Sequence, residues 1–293
     1  MKRLIAIVII VALVLIALSA ASCFVGLGVY KDVSYLDRDA CSMDIYLPRG
    51  VGADTPRGVI LFIHGGSWSG GDKSDEVLRC RLLASRGYVT ASINYTLWTE
   101  ETKHEYNVLG VLDEIDAALL KVKSFLSERG IEAEKVALAG YSAGAHLAML
   151  YSYSRHTTAP LEVVFVSSMA GPTDISESAW GRDMAKRVGV RLTGVEITDE
   201  MLDSGEADSL LKSVSPTSYV TPDSPPTLIM HGGRDDVVPV ANADLLIAAL
   251  RENSVTYDYV YMNRSNHMLW QNPLAHVTYF GLLLDYCRTY FGY

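Results

Sequence analysis

From about residue 29 onward the chain alternates two kinds of apolar pattern. The first is a short run rich in β-branched residues: Val59–Ile63, Val89–Asn94, Val136–Gly140, Val163–Met169 and Thr227–Met230. Runs without polar alternation suit strands covered on both faces, as in a parallel sheet. Val29–Leu36 and Ser42–Leu47 precede them and predict an opening antiparallel pair, while Tyr257–Tyr261 supplies a last strand. The second pattern has helical spacing. Val108, Leu112, Ile115, Leu119, Val122 and Leu126 recur three or four residues apart, one stripe of an amphipathic helix that Gly130 stops. Ala143–Tyr153 predicts another helix. Leu245, Leu246, Ala249 and Leu250 mark a third, and Val277, Phe280, Leu284 and Cys287 a fourth. This alternation predicts an α/β fold, a mostly parallel eight-stranded sheet with helices on both faces. Chemistry in such a sheet sits beyond the carboxyl ends of the strands.

The stretch 171–226 breaks the rhythm, because one crossover helix needs far fewer residues. Asp174–Val188 and the acidic Thr198–Leu211 predict helices within it. A long insertion before the next strand is expected to be a lid or pocket wall. No repeat or linker marks a second domain, so 29–293 reads as one unit.

The first 28 residues have a different character. Lys2 and Arg3 precede an uncharged apolar run, Leu4 to Leu18, and then Ser19, Ala20, Ala21, Ser22 and Cys23. A basic start, an apolar stretch and a small-residue end suit a secretory signal. A lipoprotein signal cut before Cys23 and an uncleaved anchor running on to Leu27 fit the same residues. These readings place the body outside the cytosol, whereas a core helix is the alternative that the missing polar face allows. Cys41, Cys80 and Cys287 then remain, without metal-binding spacing, as buried small residues or one bridge and a free thiol.

Composition narrows the function. Hydrophobic residues make up 49% of the 293-residue chain, too many for a disordered protein. The net charge is −9 although Lys2 and Arg3 are positive, so the body is a poor partner for nucleic acid.

Gly140-Tyr141-Ser142-Ala143-Gly144 reads G-x-S-x-G between a strand and a helix, the context in which a serine stands exposed on a tight elbow. A lone turn serine would mean little. A serine nucleophile needs a base, and His267 in Asn266-His267-Met268 follows the last strand. His231, His64, His146, His104, His156 and His276 sit in other motifs or in and beside helices. The third member must be a carboxylate that orients the imidazole. Asp235 and Asp236 follow Thr227–Met230; as neighbours they diverge, and Asp235 is the expected partner, with Asp236 as a loop-stabilising acid. His64-Gly65-Gly66-Ser67-Trp68 follows the third strand and is expected to supply the N–H groups of Gly66 and Ser67 to an oxyanion hole, with that of Ala143. No metal or organic cofactor is called for.

These residues together resemble the α/β-hydrolase esterases of the lipase and hormone-sensitive-lipase side, and among them the BD-FAE-type, bacterial feruloyl-esterase-like carboxylesterases. The similarity includes Met43-Asp44-Ile45-Tyr46-Leu47-Pro48, Gly71-Asp72-Lys73, Ala145-His146-Leu147-Ala148 and Ser215-Pro216-Thr217. Tyr141 stands where His or Asp is common, and Ala145 where Gly is; neither change removes a catalytic group. The resemblance implies hydrolysis of small or glycan-linked esters, acetyl or feruloyl groups included. Kynurenine-formamidase-like amide hydrolysis, a prolyl-oligopeptidase-type peptidase and a non-enzymatic binding module are the rival expectations.

Overall fold

The computed structural model describes residues 25–50, 58–103 and 106–292. Eight strands form one sheet: β1 (Gly28–Ser34), β2 (Ser42–Leu47), β3 (Val59–Ile63), β4 (Val89–Ile93), β5 (Lys135–Tyr141), β6 (Glu162–Met169), β7 (Thr227–Gly232) and β8 (Tyr257–Met262). Their spatial order is β1-β2-β4-β3-β5-β6-β7-β8. β2 runs antiparallel to β1 and β4, and every other pair is parallel. The unbroken apolar runs lie where expected: every residue of β3 and β4 is buried. β1 is an edge strand, mostly exposed and bulged between Tyr30 and Val33. The architecture is that of an α/β-hydrolase.

The helices are α1 (Val77–Ala84), α2 (Val108–Ser127), α3 (Ala143–Arg155), α4 (Glu177–Trp180), α5 (Arg182–Thr193), α6 (Asp199–Ser204), α7 (Ala207–Ser213), α8 (Ala241–Glu252) and α9 (Pro273–Phe291). α2, α3, α8 and the insertion cover one face of the sheet, and α1 and α9 the other. All six residues of the predicted α2 stripe are buried. Val111, Ala118 and Phe125 widen that stripe.

Several expectations need correction. In α9 Leu284 and Cys287 are buried as expected, but Val277 is 68% exposed and Phe280 only partly buried, and Ala275, Tyr279 and Leu283 complete the buried face. The spacing fits the helix, and only the start of the expected row is rotated from the buried face. Residues 174–188 are not one helix: Gly181, at φ 72°, separates α4 from α5. Gly205, at φ 78°, likewise divides 198–211 into α6 and α7. Glycine adopts this left-handed region without a Cβ clash and so ends helices. Nothing in the apolar pattern announced α1, a short helix whose Leu78 faces solvent. Cys41, Cys80 and Cys287 are buried free thiols. The N-terminal address lies outside the described residues.

Candidate active site

Four strand ends converge on one place. β5 stops at Tyr141 and α3 starts at Ala143, leaving Ser142 as the single turning residue. Its backbone sits at φ 53°, ψ −122°, and its N–H donates to the Met169 carbonyl at 2.8 Å. A non-glycine residue there costs about 1–3 kcal/mol, so the surroundings must hold it. The flanking glycines permit that packing. A Cβ on Gly140 would lie 2.3 Å from the Gly144 backbone, and one on Gly144 would lie 1.9 Å from the Ile63 oxygen. Both contacts are against backbone, which has little room to yield.

His267 follows β8, and its Nε2 lies 3.0 Å from Ser142 Oγ. Its Nδ1 lies 2.8 Å from Asp235 Oδ2 and 3.1 Å from Oδ1. A carboxylate only accepts, so Nδ1 carries the proton and the Nε2 lone pair faces the serine hydroxyl. The Asp235 side chain is completely buried. Its Oδ1 accepts from the N–H groups of Val237 at 2.9 Å and Val238 at 2.8 Å. Behind it, His231 Nε2 donates to the Val238 carbonyl at 3.0 Å, and burial lowers the His231 pKa. Asp236 is exposed and stays outside this relay.

The 64–68 loop lies against the elbow. A Cβ on Gly65 would be 2.8 Å from the Tyr141 oxygen, and one on Gly66 2.1 Å from the Gly70 oxygen. Ser67 and Trp68 both take positive φ, at 54° and 59°. Among the described residues the N–H groups of Gly66 and Ser67 donate to no protein acceptor. Ala143 opens α3, so its N–H has no intrahelical partner. The carbonyls of the loop are occupied instead: Arg191 Nη1 donates to Ser67 O at 3.1 Å, and Trp98 N to Trp68 O at 2.7 Å.

Three further residues support this frame. Tyr141 Oη donates to the His267 carbonyl at 2.9 Å, and the two rings are 5.2 Å apart. Burial, then the nearby Asp235, pushes the Tyr141 phenol up to about 12, which keeps it a donor. Trp68 Nε1 donates to His146 Nδ1 at 3.3 Å, while His146 Nε2 donates to Val214 O at 2.8 Å. His146 is thus a neutral brace between α3, the loop and the insertion, and burial holds its pKa down near 4. His64 stacks on Tyr95 with ring centroids 4.5 Å apart. These braces left no signal in the sequence beyond their places next to the motifs.

Two cavities flank Ser142 and its loop. One of about 370 Å³ is lined by Gly65, Gly66, Tyr141, Met268 and Trp270 among others. The other, about 190 Å³, is lined by Ser142 itself, Ser67, Trp68 and residues of the insertion, including Trp180. His276 lines the first, while His156 is away from both; His104 lies outside the described residues.

Most of this site falls inside a known family pattern, since the BD-FAE family model matches residues 43–250. The chain belongs to the BD-FAE family. Within this BD-FAE chain the matched region includes the loop, Ser142 and Asp235, and His267 lies beyond it. The chain is 29% identical over 224 residues to Esterase LipQ of Mycobacterium tuberculosis, covering 71% of this chain and 49% of LipQ. Esterase LipC of the same organism is 27% identical over 231 residues, 75% of this chain and 55% of LipC. The chain therefore spans about half the length of these curated relatives. Among solved structures, a truncated carbohydrate esterase from gut microbiota superposes with a TM-score of 0.72 at 17% identity. The match covers 89% of this chain and 97% of that one, and it is a likeness of fold.

Proposed function

We propose that this protein is a serine carboxylesterase acting outside the cytosol. One observation carries the reading: the unbroken relay Asp235–His267–Ser142, with contacts of 2.8 and 3.0 Å. His267 Nε2 takes the hydroxyl proton as Ser142 Oγ attacks the ester carbonyl. Asp235 holds the tautomer and stabilises the imidazolium that forms. The oxyanion accepts from the N–H groups of Gly66, Ser67 and Ala143, and one such donor is worth about 3 kcal/mol in the transition state. His267 then protonates the leaving alcohol, giving an acyl-enzyme. Water, deprotonated by the same imidazole, attacks that acyl group; the acid leaves and Ser142 regains its proton.

The two cavities suit the two halves of an ester, one to each side of the reacting carbon. The relatives named esterases favour ester over amide chemistry. The smaller cavity fits a short or compact group better than a long chain. Acetyl or feruloyl groups on carbohydrate are the substrates we favour, in line with the family and with the carbohydrate-esterase fold likeness.

The test is a panel of p-nitrophenyl esters of rising acyl length with detergent-solubilised full-length protein, followed by phosphonate labelling. Short esters should be cleaved, Ser142 should take the label, and Ser142→Ala should abolish both. Hydrolysis that survives Ser142→Ala, or labelling of another serine, would overturn the assignment.

A further inference from the structure

α5 carries two pairs of basic residues spaced four apart. Arg182 and Lys186 meet acids: Arg182 pairs with Glu177, Asp199 and Asp203, and Lys186 with Asp199. Arg187 and Arg191, one step round the helix, instead line the 190 Å³ cavity at Ser142. Among the described residues they are the only charged ones lining it; the rest of the wall is apolar or hydroxyl, with Trp180, Met184 and Val188 from the same insertion. Neither arginine has a carboxylate partner among the described residues.

On the same helix Arg182 and Lys186 do have carboxylate partners, so the pair at the cavity differs from its neighbours. Like charges four apart on a helix repel, so an empty pair weakens α5. Arg191 is also underused. A guanidinium has five N–H donors, of which Nη1 reaches Ser67 O, while Nε is buried without a partner. Burial, then the neighbouring Arg187, lowers the Arg191 pKa. Its guanidinium is held 4.9 Å over the Trp98 ring, which fixes its orientation.

We propose that this cavity is an anion subsite, in which Arg187 and Arg191 select esters that carry a carboxylate close to the scissile bond. The inference rests on Ser142 being the nucleophile. A planar carboxylate matches the forked donors of arginine, which suit it better than a point charge would. Arg191 also ties the subsite to the oxyanion loop through Ser67, so filling the subsite steadies the loop that receives the developing charge. The carboxylate belongs either to the acyl half, as in a half-ester of a dicarboxylic acid, or to the alcohol half, as in a uronate or hydroxybenzoate.

Matched pairs distinguish these sources. With full-length protein in a pH-stat, ethyl hydrogen succinate is compared with ethyl butyrate for the acyl side, and 4-acetoxybenzoate with 4-acetoxybenzamide for the alcohol side. In one pair the anionic member should have the higher kcat/KM by about tenfold, the least expected of a hydrogen bond to a charged group. Arg187→Gln should collapse that ratio and Arg187→Lys should restore part of it. The readout is a ratio within each variant, so a general loss of activity does not imitate the effect. Preference for the neutral member in both pairs, or a ratio that survives Arg187→Gln, would overturn the subsite. Calorimetric binding of succinate and 4-hydroxybenzoate to Ser142→Ala protein separates the two proposals. Binding that Arg187→Gln removes supports the subsite even if no ester is cleaved, whereas ester cleavage without anion binding refutes the subsite alone.

Discussion

Asp235 and Asp236 are chemically identical neighbours, and only their surroundings give them different work. Asp235 is buried, receives two backbone N–H groups and faces His267, while Asp236 points to solvent. Asp235→Asn should therefore lower kcat by about 10⁴, because the amide would favour the wrong imidazole tautomer. Asp236→Asn should leave kcat nearly unchanged; stopped assays on both variants settle the ranking, and the reverse order would mean that the relay runs elsewhere. Position after a strand pointed to Ser142, His267 and the adjacent pair Asp235 and Asp236, and the structure brings Asp235 to His267. Position was not enough for Tyr141, His146 or Arg191, whose partners come from segments remote in sequence. His146 also makes a pH prediction. It is neutral and fully buried, with its pKa pushed down to about 4 by burial, whereas the unfolded chain protonates it in the ordinary histidine range. Between those two values the unfolded state binds the extra proton, so stability falls as pH falls, by up to about 1.4 kcal/mol per pH unit. Urea unfolding at pH 7 and pH 5 should show the loss, and His146→Gln should flatten its slope.

At the scale of elements, the Asp44 and Gly71-Asp72-Lys73 motifs prove to be parts of one clamp. Lys73 is almost buried, and its Nζ lies 3.2 Å from Asp44 Oδ1 on β2 and 2.7 Å from Asp32 on the bulged edge strand β1. Asp72 caps the turn that follows, accepting from Ser74 N, and its other oxygen accepts from Asn94 Nδ2 at the end of β4. Three strands are thereby fastened beside the loop that begins at His64. Lys73→Met would strand the buried Asp44 charge and should cost about 3 kcal/mol. The double variant Asp44→Leu/Lys73→Met should recover most of that loss, since an apolar pair of similar size removes the unpaired charge. Denaturant midpoints of Lys73→Met, Asp44→Leu and the double variant test this, and a double loss equal to the sum of the two single losses would show that Asp44 and Lys73 act independently. Strands were read well because full burial on both faces leaves an unbroken apolar run. The insertion was read poorly because its short helices are set by Gly181 and Gly205 and by ion pairs across helices, none of which has a period.

At the scale of the whole molecule, the sequence sets a charged body against an apolar N-terminal stretch. No helix among the described residues is long and apolar enough to cross a membrane. The pattern that suits a bilayer lies mostly before them: Lys2 and Arg3, then no charge from Leu4 to Leu27. A bilayer core excludes charge, so burying this stretch there is favourable, and the two basic residues should remain on the cytoplasmic side by the positive-inside tendency. The body would then emerge on the opposite face, where its net charge, −11 once Lys2 and Arg3 are taken from the 25 bases set against 34 acids, repels anionic headgroups. Cys23 falls where a lipoprotein signal would be cut. A single acyl chain anchors weakly and two chains hold firmly, so a diacylated Cys23 would keep the enzyme at the surface with its active site open to external esters. Full-length protein should accordingly fractionate with membranes and be cut by protease added outside intact cells. Mass spectrometry of the mature N-terminus then chooses among the forms: diacylated Cys23 for a lipoprotein, intact Met1 for an uncleaved anchor, and an unmodified end near residue 23 for a secreted enzyme. Recovery of all activity in the cytosol would contradict each of them and would leave the apolar leader as part of a core.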